Sequence, residues 1–249
     1  ALGGIGIGWF HPNGVALVRH VVPGRQGFCV SMFLGGGVIG LLLTPLVARH
    51  FYQLGSWWSV LLTVVPGLLI AMGVYRLVPS VDVHEERSSL RQVLSHIRGP
   101  LALVFVFATL RAFAFTAPHY FMTFYGKDLG WSKGQITTAI LLWFAAGAAG
   151  NFLGMHFTDR HHWRGLLNWS CVLSAVFIMA AYGFSRPAFL VLAALASLTT
   201  SLGMPPTVIV AQRAAPGGAS FSSAMVMGAA WGLSGLLMPL LVPLAKATS

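Results

Sequence analysis

Apolar residues run along this chain in eight stretches, at roughly 1–19, 27–48, 57–77, 100–125, 134–156, 165–184, 187–210 and 218–244. A helix of ~20 apolar residues crosses a hydrocarbon core of about 30 Å, so each stretch predicts a membrane-spanning helix. The pattern predicts an all-α, polytopic membrane protein. The long polar interruption, "VPSVDVHEERSSLRQVLSHIRGP", falls between the third and fourth runs. Within it, Ser89 and Gln92 have capping-box spacing, and Leu90, Val93, Leu94 and Ile97 recur on one helical face. That reads as a short amphipathic helix on the membrane surface, linking two bundles.

The polar punctuation also repeats. "WFHPNGVALVRHVVPGRQGFCVSMFLGG" at residues 9–36 and "MPPTVIVAQRAAPGGASFSSAMVMG" at 204–228 share a skeleton at a constant offset of 193 positions. Pro12, Val15, Pro23, Gly24, Phe28, Met32 and Gly35 return as Pro205, Val208, Pro216, Gly217, Phe221, Met225 and Gly228. The first copy covers runs one and two, and the second covers runs seven and eight. The repeating unit is therefore six helices, and two units make twelve. Eight are present, which predicts a chain beginning inside one bundle and stopping short of the other's last helix. The expected division is 1–77 for the latter part of the first bundle, 78–99 for the linker, and 100–249 for the second bundle. Parallel six-helix repeats about the membrane normal are a transporter plan with the site at midplane. Pro12, Pro45 and Pro205 are expected to bend helices, and the Pro-Gly pairs to turn the chain.

Composition agrees with a membrane protein. Charged residues make up 8% of the chain and mean hydropathy is +0.77, against roughly 25% charged in a soluble domain. The net charge of +10 does not mark a nucleic-acid partner, because the cations sit at the ends of apolar runs. With the loop after the first run cytoplasmic, that side holds Arg19, Arg25, Arg76, Arg87, Arg91, Arg98, Arg160, Arg164 and Arg213. The other side holds Arg49, Lys127, Lys133, Arg186 and Lys246. The excess orients the first run to end in the cytoplasm. Cys29 and Cys171 lie in apolar runs and read as core filler rather than a disulfide or metal site. The first residues are already apolar helix with no charged leader, so further sequence upstream is expected.

Glycines crowd three runs at Gly35, Gly36, Gly37 and Gly40, at Gly147, Gly150 and Gly154, and at Gly228, Gly232 and Gly235. Small residues at such spacings let helix backbones approach, for static packing or for rocking.

Arg111 carries the candidate chemistry. It lies about eleven residues into the fourth run, ~16 Å from its start, where a cation is costly and faces a watery cavity or a partner. Phe115, His119 and Met122 follow on the same face. Arg111 either pairs with a carboxylate on a helix absent from this sequence, or meets an anionic substrate or a proton path; its forked donors suit a carboxylate or phosphonate. His11 precedes Pro12, which frees a backbone carbonyl. It could bond that carbonyl or carry a proton near neutral pH. No Asp or Glu lies deep in any run, so a proton carrier must be a histidine or lie elsewhere. His156, His161 and His162 are close in sequence but straddle a loop, so neither a metal site nor a haem is expected. Nothing here reads as an enzyme, and no cofactor is implied.

Several motifs carry a family resemblance. "FHPNG" from Phe10, "AQRAAPG" from Ala211, "YFMTFY" from Tyr120 and "GAAGNFLGMHFTDR" from Gly147 resemble the major facilitator superfamily, most of all its fosmidomycin-resistance branch. That branch has Phe-His-Pro-Glu in its fourth helix and Ala-Gln-Glu-Leu-Leu-Pro-Gly after its tenth. Here Asn13 replaces the acid, Arg213 follows Gln212, and Met155 and His162 stand where the loop signature has Gly. The resemblance implies helices four to eleven of a proton-coupled exporter of small drug-like or anionic compounds, working by alternating access. It places that exporter, a monomer, in a bacterial inner membrane. Arg111, His119, His11, Asn13, Phe115, Tyr120, Phe124 and Gln212 would line its pathway. Asp159, Arg160 and Arg164 would form a gating loop, with Asp159 against the positive N-terminal end of the helix beginning near Gly27. An importer of a metabolite or sugar and a non-transporting remnant are the alternatives.

Overall fold

The computed structural model describes residues 10–15, 17, 25–53, 58, 61, 62, 64–77, 99–158, 163–215 and 218–248. Residues 10–15 are helical. Then follow α1 (Gln26–Gln53), α2 (Val64–Leu77), α3 (Pro100–Asp128), α4 (Lys133–Thr158), α5 (Trp163–Ala181), α6 (Arg186–Leu202), α7 (Met204–Ala214) and α8 (Ala219–Ser223). A π-helical turn, Ala224–Ala229, leads into α9 (Ala230–Thr248). No strand occurs among the described residues. Six stretches are long and apolar enough to span a membrane, with α6 and α7 counting as one of 29 residues. They correspond to six of the eight expected runs. Of the other two, 57–77 contributes the 14-residue α2, which buries none of its residues, and 1–19 lies largely outside the described residues. So do the surface helix expected at 89–97 and the two Pro-Gly elbows.

The core forms two clusters that mark the two ends of the bundle. Leu101 at the start of α3 packs with Val30 of α1, Ala211 of α7 and Val226 of the π turn. Met122, toward the other end of α3, packs with Ala139 of α4, Ala181 of α5 and Phe189 of α6. The helices therefore alternate in direction, and both α1 and α8, which follow the elbows, start at the same end. Among the described residues, Arg25, Arg164 and Arg213 lie at that end.

The glycines separate into two kinds. A Cβ on Gly154 would stand 2.6 Å from the Leu202 carbonyl oxygen, and one on Gly150 would collide with the Leu198 carbonyl. Gly147 faces the Ser197 and Ser201 hydroxyls, at 3.0 and 3.2 Å from a notional Cβ. The matching order of these pairs shows that α4 and α6 run parallel, backbone against backbone. Gly35 lies beneath the Phe152 ring and seats α1 on α4, with 2.6 Å to a notional Cβ. Gly36, Gly37, Gly40, Gly228, Gly232 and Gly235 meet nothing within 4 Å. Sequence spacing alone does not distinguish the two groups.

Backbone carbonyls satisfy most hydroxyls inside the spans. Thr109, Thr158, Thr200 and Thr207 each donate to the carbonyl one turn back, at 2.6 to 2.9 Å. A hydroxyl left unpaired in hydrocarbon would cost several kcal/mol, of order 2–7.

Candidate functional site

The site forms where α3 crosses the break between α6 and α7. Gly203, at φ −81° and ψ −5°, ends α6, and its N–H turns back to Ser201 O. Pro205 and Pro206 open α7. Because proline has no N–H, the carbonyls of Ser201 and Leu202 lose the donors a continuous helix would supply. The interruption at Gly203 thus lies two residues before Pro205, one of the prolines expected to bend a helix. The side chain of Pro45 lies outside the described residues, and Pro12 is buried.

Arg111 reaches this break. It is 8% exposed, and its Nη1 donates to Thr200 O at 3.2 Å, in the last turn of α6. The carbonyl end of a helix is its partially negative pole, so the cation sits in a favourable field. Its Nε finds no partner among the described residues. The sequence contains five acids: Asp82, Glu85, Glu86, Asp128 and Asp159. Of these only Asp128 is described, seventeen positions further along α3, or ~25 Å at 1.5 Å per residue. No carboxylate among the described residues pairs with it. A backbone carbonyl takes that place.

Aromatic rings continue from the cation along the same face of α3. Phe115 is 1% exposed, with ring centroids of Trp143 and Trp231 each 5.6 Å away and Phe144 at 6.1 Å. His119 lies one turn further, 5.3 Å from Phe144, its Nδ1 3.1 Å from Phe115 O. Ser197 Oγ donates to Trp143 O at 2.6 Å, tying α6 to α4. Beyond the rings, Pro118, Met122, Tyr182 and Phe189 line a small crevice whose walls are almost wholly apolar. The polar chemistry thus stays at Arg111.

The structure divides the other expected residues. The Tyr120 and Phe124 rings lie 5.7 Å apart, tilted at 49°, and are exposed on an outward strip with Leu103, Val106 and Leu110. They do not share the Arg111 face. His11 packs edge-on to Phe33 at 5.3 Å, and its Nδ1 has no partner among the described residues. The carbonyl bond considered for it is not made through that nitrogen. Asn13 is exposed on the same short helix. The ring contacts of His11 and those of His119 form separate sets. Gln212 is buried and donates to Ser223 Oγ at 3.0 Å, clasping α7 to α8. Asp159 and Arg160 lie outside the described residues; Arg164 is exposed and covers the Trp163 ring at 5.0 Å. Cys29 and Cys171 form no disulfide, and no cluster suited to a metal occurs among the described residues. Thr200, Trp143 and Trp231 complete the site but carry no sequence motif. A tryptophan four residues before Gly147, within reach of the serines of α6, was the available signal.

Comparison with known proteins identifies the family. The sequence profile described as Major Facilitator Superfamily matches residues 1–239. The chain belongs to the major facilitator superfamily. As a superfamily member it is a multi-pass membrane protein, and its helices have the length and composition this requires. It is similar to "Uncharacterized MFS-type transporter YfnC" of Bacillus subtilis (strain 168), at 25% identity over 247 residues. The aligned region covers 94% of this chain and 60% of that relative's length. No solved structure matches.

Proposed function

We propose that this superfamily member exports small amphipathic anionic compounds in exchange for protons, by alternating access in a bacterial inner membrane. The observation that carries this reading is Arg111. It is a buried cation at mid-height with an uncharged carbonyl as partner, one helical turn from Phe115 and the Trp143 and Trp231 rings packed on it. A compound with one acidic group and one flat apolar part would pair with the guanidinium and lie on the rings. The resemblance to the fosmidomycin-resistance branch supports the outward direction and the drug-like cargo. His119, close to the rings, is the candidate proton carrier on this face, and Asp159 with Arg160 and Arg164 the candidate gate.

The test is uptake into inside-out proteoliposomes holding the full-length protein. An imposed proton gradient should drive accumulation of an aromatic carboxylate but not of its neutral alcohol. Arg111→Gln should abolish the preference. Accumulation of sugars, or indifference to the gradient, would sink the proposal.

A further inference from the structure

The α6–α7 break is an interruption with a tie from outside. Pro205 and Pro206 remove two helical bonds at the joint, where Thr207 on Gly203 O is the local bond that remains across it. The tie comes from α3, through Arg111 Nη1 on Thr200 O. The same nitrogen stands 3.5 Å from where a Cβ on Gly203 would be. Beyond the joint, Val208, Ile209 and Ala211 of α7 pack with Val30 and Leu34 of α1 and with Leu101 of α3. The helix beyond this joint is thus packed into the end of the bundle where Arg25 and Arg213 lie. A hinge absorbs its rotation where backbone bonds are already missing.

We propose that Arg111 is a positioning residue that pins this hinge, and that anionic cargo unpins it by drawing the guanidinium off Thr200 O. The release step rests on the anionic-cargo reading above, whereas the pin does not. A carboxylate offers two charged acceptors to a fork that holds a single neutral one, and a charge-assisted bidentate pair is the stronger contact. An end-on pair through Nη1 and Nη2 uses the nitrogen that now holds Thr200 O, so cargo and carbonyl compete for it. Cargo then binds the unpinned state better than the pinned one, the condition for a ligand to shift a conformational equilibrium. This helix is held when the site is empty and freed when it is loaded.

Amide hydrogen exchange over residues 199–210, in the full-length protein in lipid nanodiscs, tests both halves. Without any probe, Arg111→Gln is expected to raise exchange across this segment several-fold, and Arg111→Lys to recover most of the protection. Para-nitrobenzoate, its binding read separately from quenching of tryptophan fluorescence, is expected to raise exchange in the wild type and change nothing in Arg111→Gln. Wild-type exchange in Arg111→Gln overturns the pin. Quenching without altered exchange overturns the release. Absence of quenching removes the anionic-cargo reading and the release step together, while the glutamine variant decides the pin alone. Should Arg111→Gln fail to fold, Pro205→Ala replaces it. The restored N–H should lower exchange and blunt the response to para-nitrobenzoate, and an unchanged profile overturns the hinge.

Discussion

Arg111 on α3 and Thr200 on α6 are joined by one bond, 3.2 Å from guanidinium nitrogen to backbone oxygen, at the point where α6 stops. Its energetics are divided. A hydrogen bond to a charged group contributes about 1.5–3 kcal/mol, but an incompletely partnered buried cation opposes it by a desolvation cost of several kcal/mol. Arg111→Met should therefore change thermal stability in detergent by only about 1 kcal/mol while stopping transport, because the two terms nearly cancel. A collapse in stability matching the loss of transport would show a scaffold residue instead.

The glycine faces give opposite expectations for the same substitution. Gly150→Ala pushes a methyl into the Leu198 carbonyl and should cost about 1–3 kcal/mol, the usual range for overpacking. Gly232→Ala meets nothing within 4 Å and should stabilise α9 by up to about 1 kcal/mol, since alanine is the better helix former. Thermal unfolding of the two variants side by side checks both signs.

Phe115 is the keystone of the aromatic set. Its ring touches those of His119, Trp143, Phe144 and Trp231. Phe115→Ala should destabilise by about 3–5 kcal/mol, read as a lower unfolding midpoint and lower yield in the membrane fraction. Phe115→Leu, which keeps most of the volume, should lose less than half of that.

Gln212 and Ser223 should prove energetically coupled. Removing either partner of their buried 3.0 Å bond leaves the other without its contact. A double-mutant cycle with Gln212→Leu and Ser223→Ala should return an interaction of about 0.5–1.5 kcal/mol. A value near zero would show that α7 and α8 are held by their apolar contacts alone.

Much of the architecture was legible because bilayer thickness sets helix length directly. The apolar runs at 100–125 and 134–156 reappear as α3 and α4 with ends shifted by three residues or fewer. The run at 187–210 was read as one helix and is two, because a pair of prolines after a glycine breaks hydrogen bonding without breaking hydropathy. Arg111 stood out as an unpaired cation in an apolar run. Its partner did not, since a backbone carbonyl has no letter in the sequence. Tyr120 and Phe124 belong to a motif that marks the family, but the 100° turn per residue carries them round α3 from Phe115. The π turn at Ala224–Ala229 was also invisible, because nothing in Ala-Met-Val-Met-Gly-Ala distinguishes it from the α-helix on either side.

The meshing of α4 with α6 has a mechanical consequence. With the Leu198 and Leu202 oxygens seated over Gly150 and Gly154, neither helix can slide along the other by a fraction of a turn without lifting out of contact. The pair behaves as a single strut, stiff along its axis. A load placed on α4 through the Phe152 ring and Gly35 would therefore reach α6 through these two seats, close to the break at Gly203.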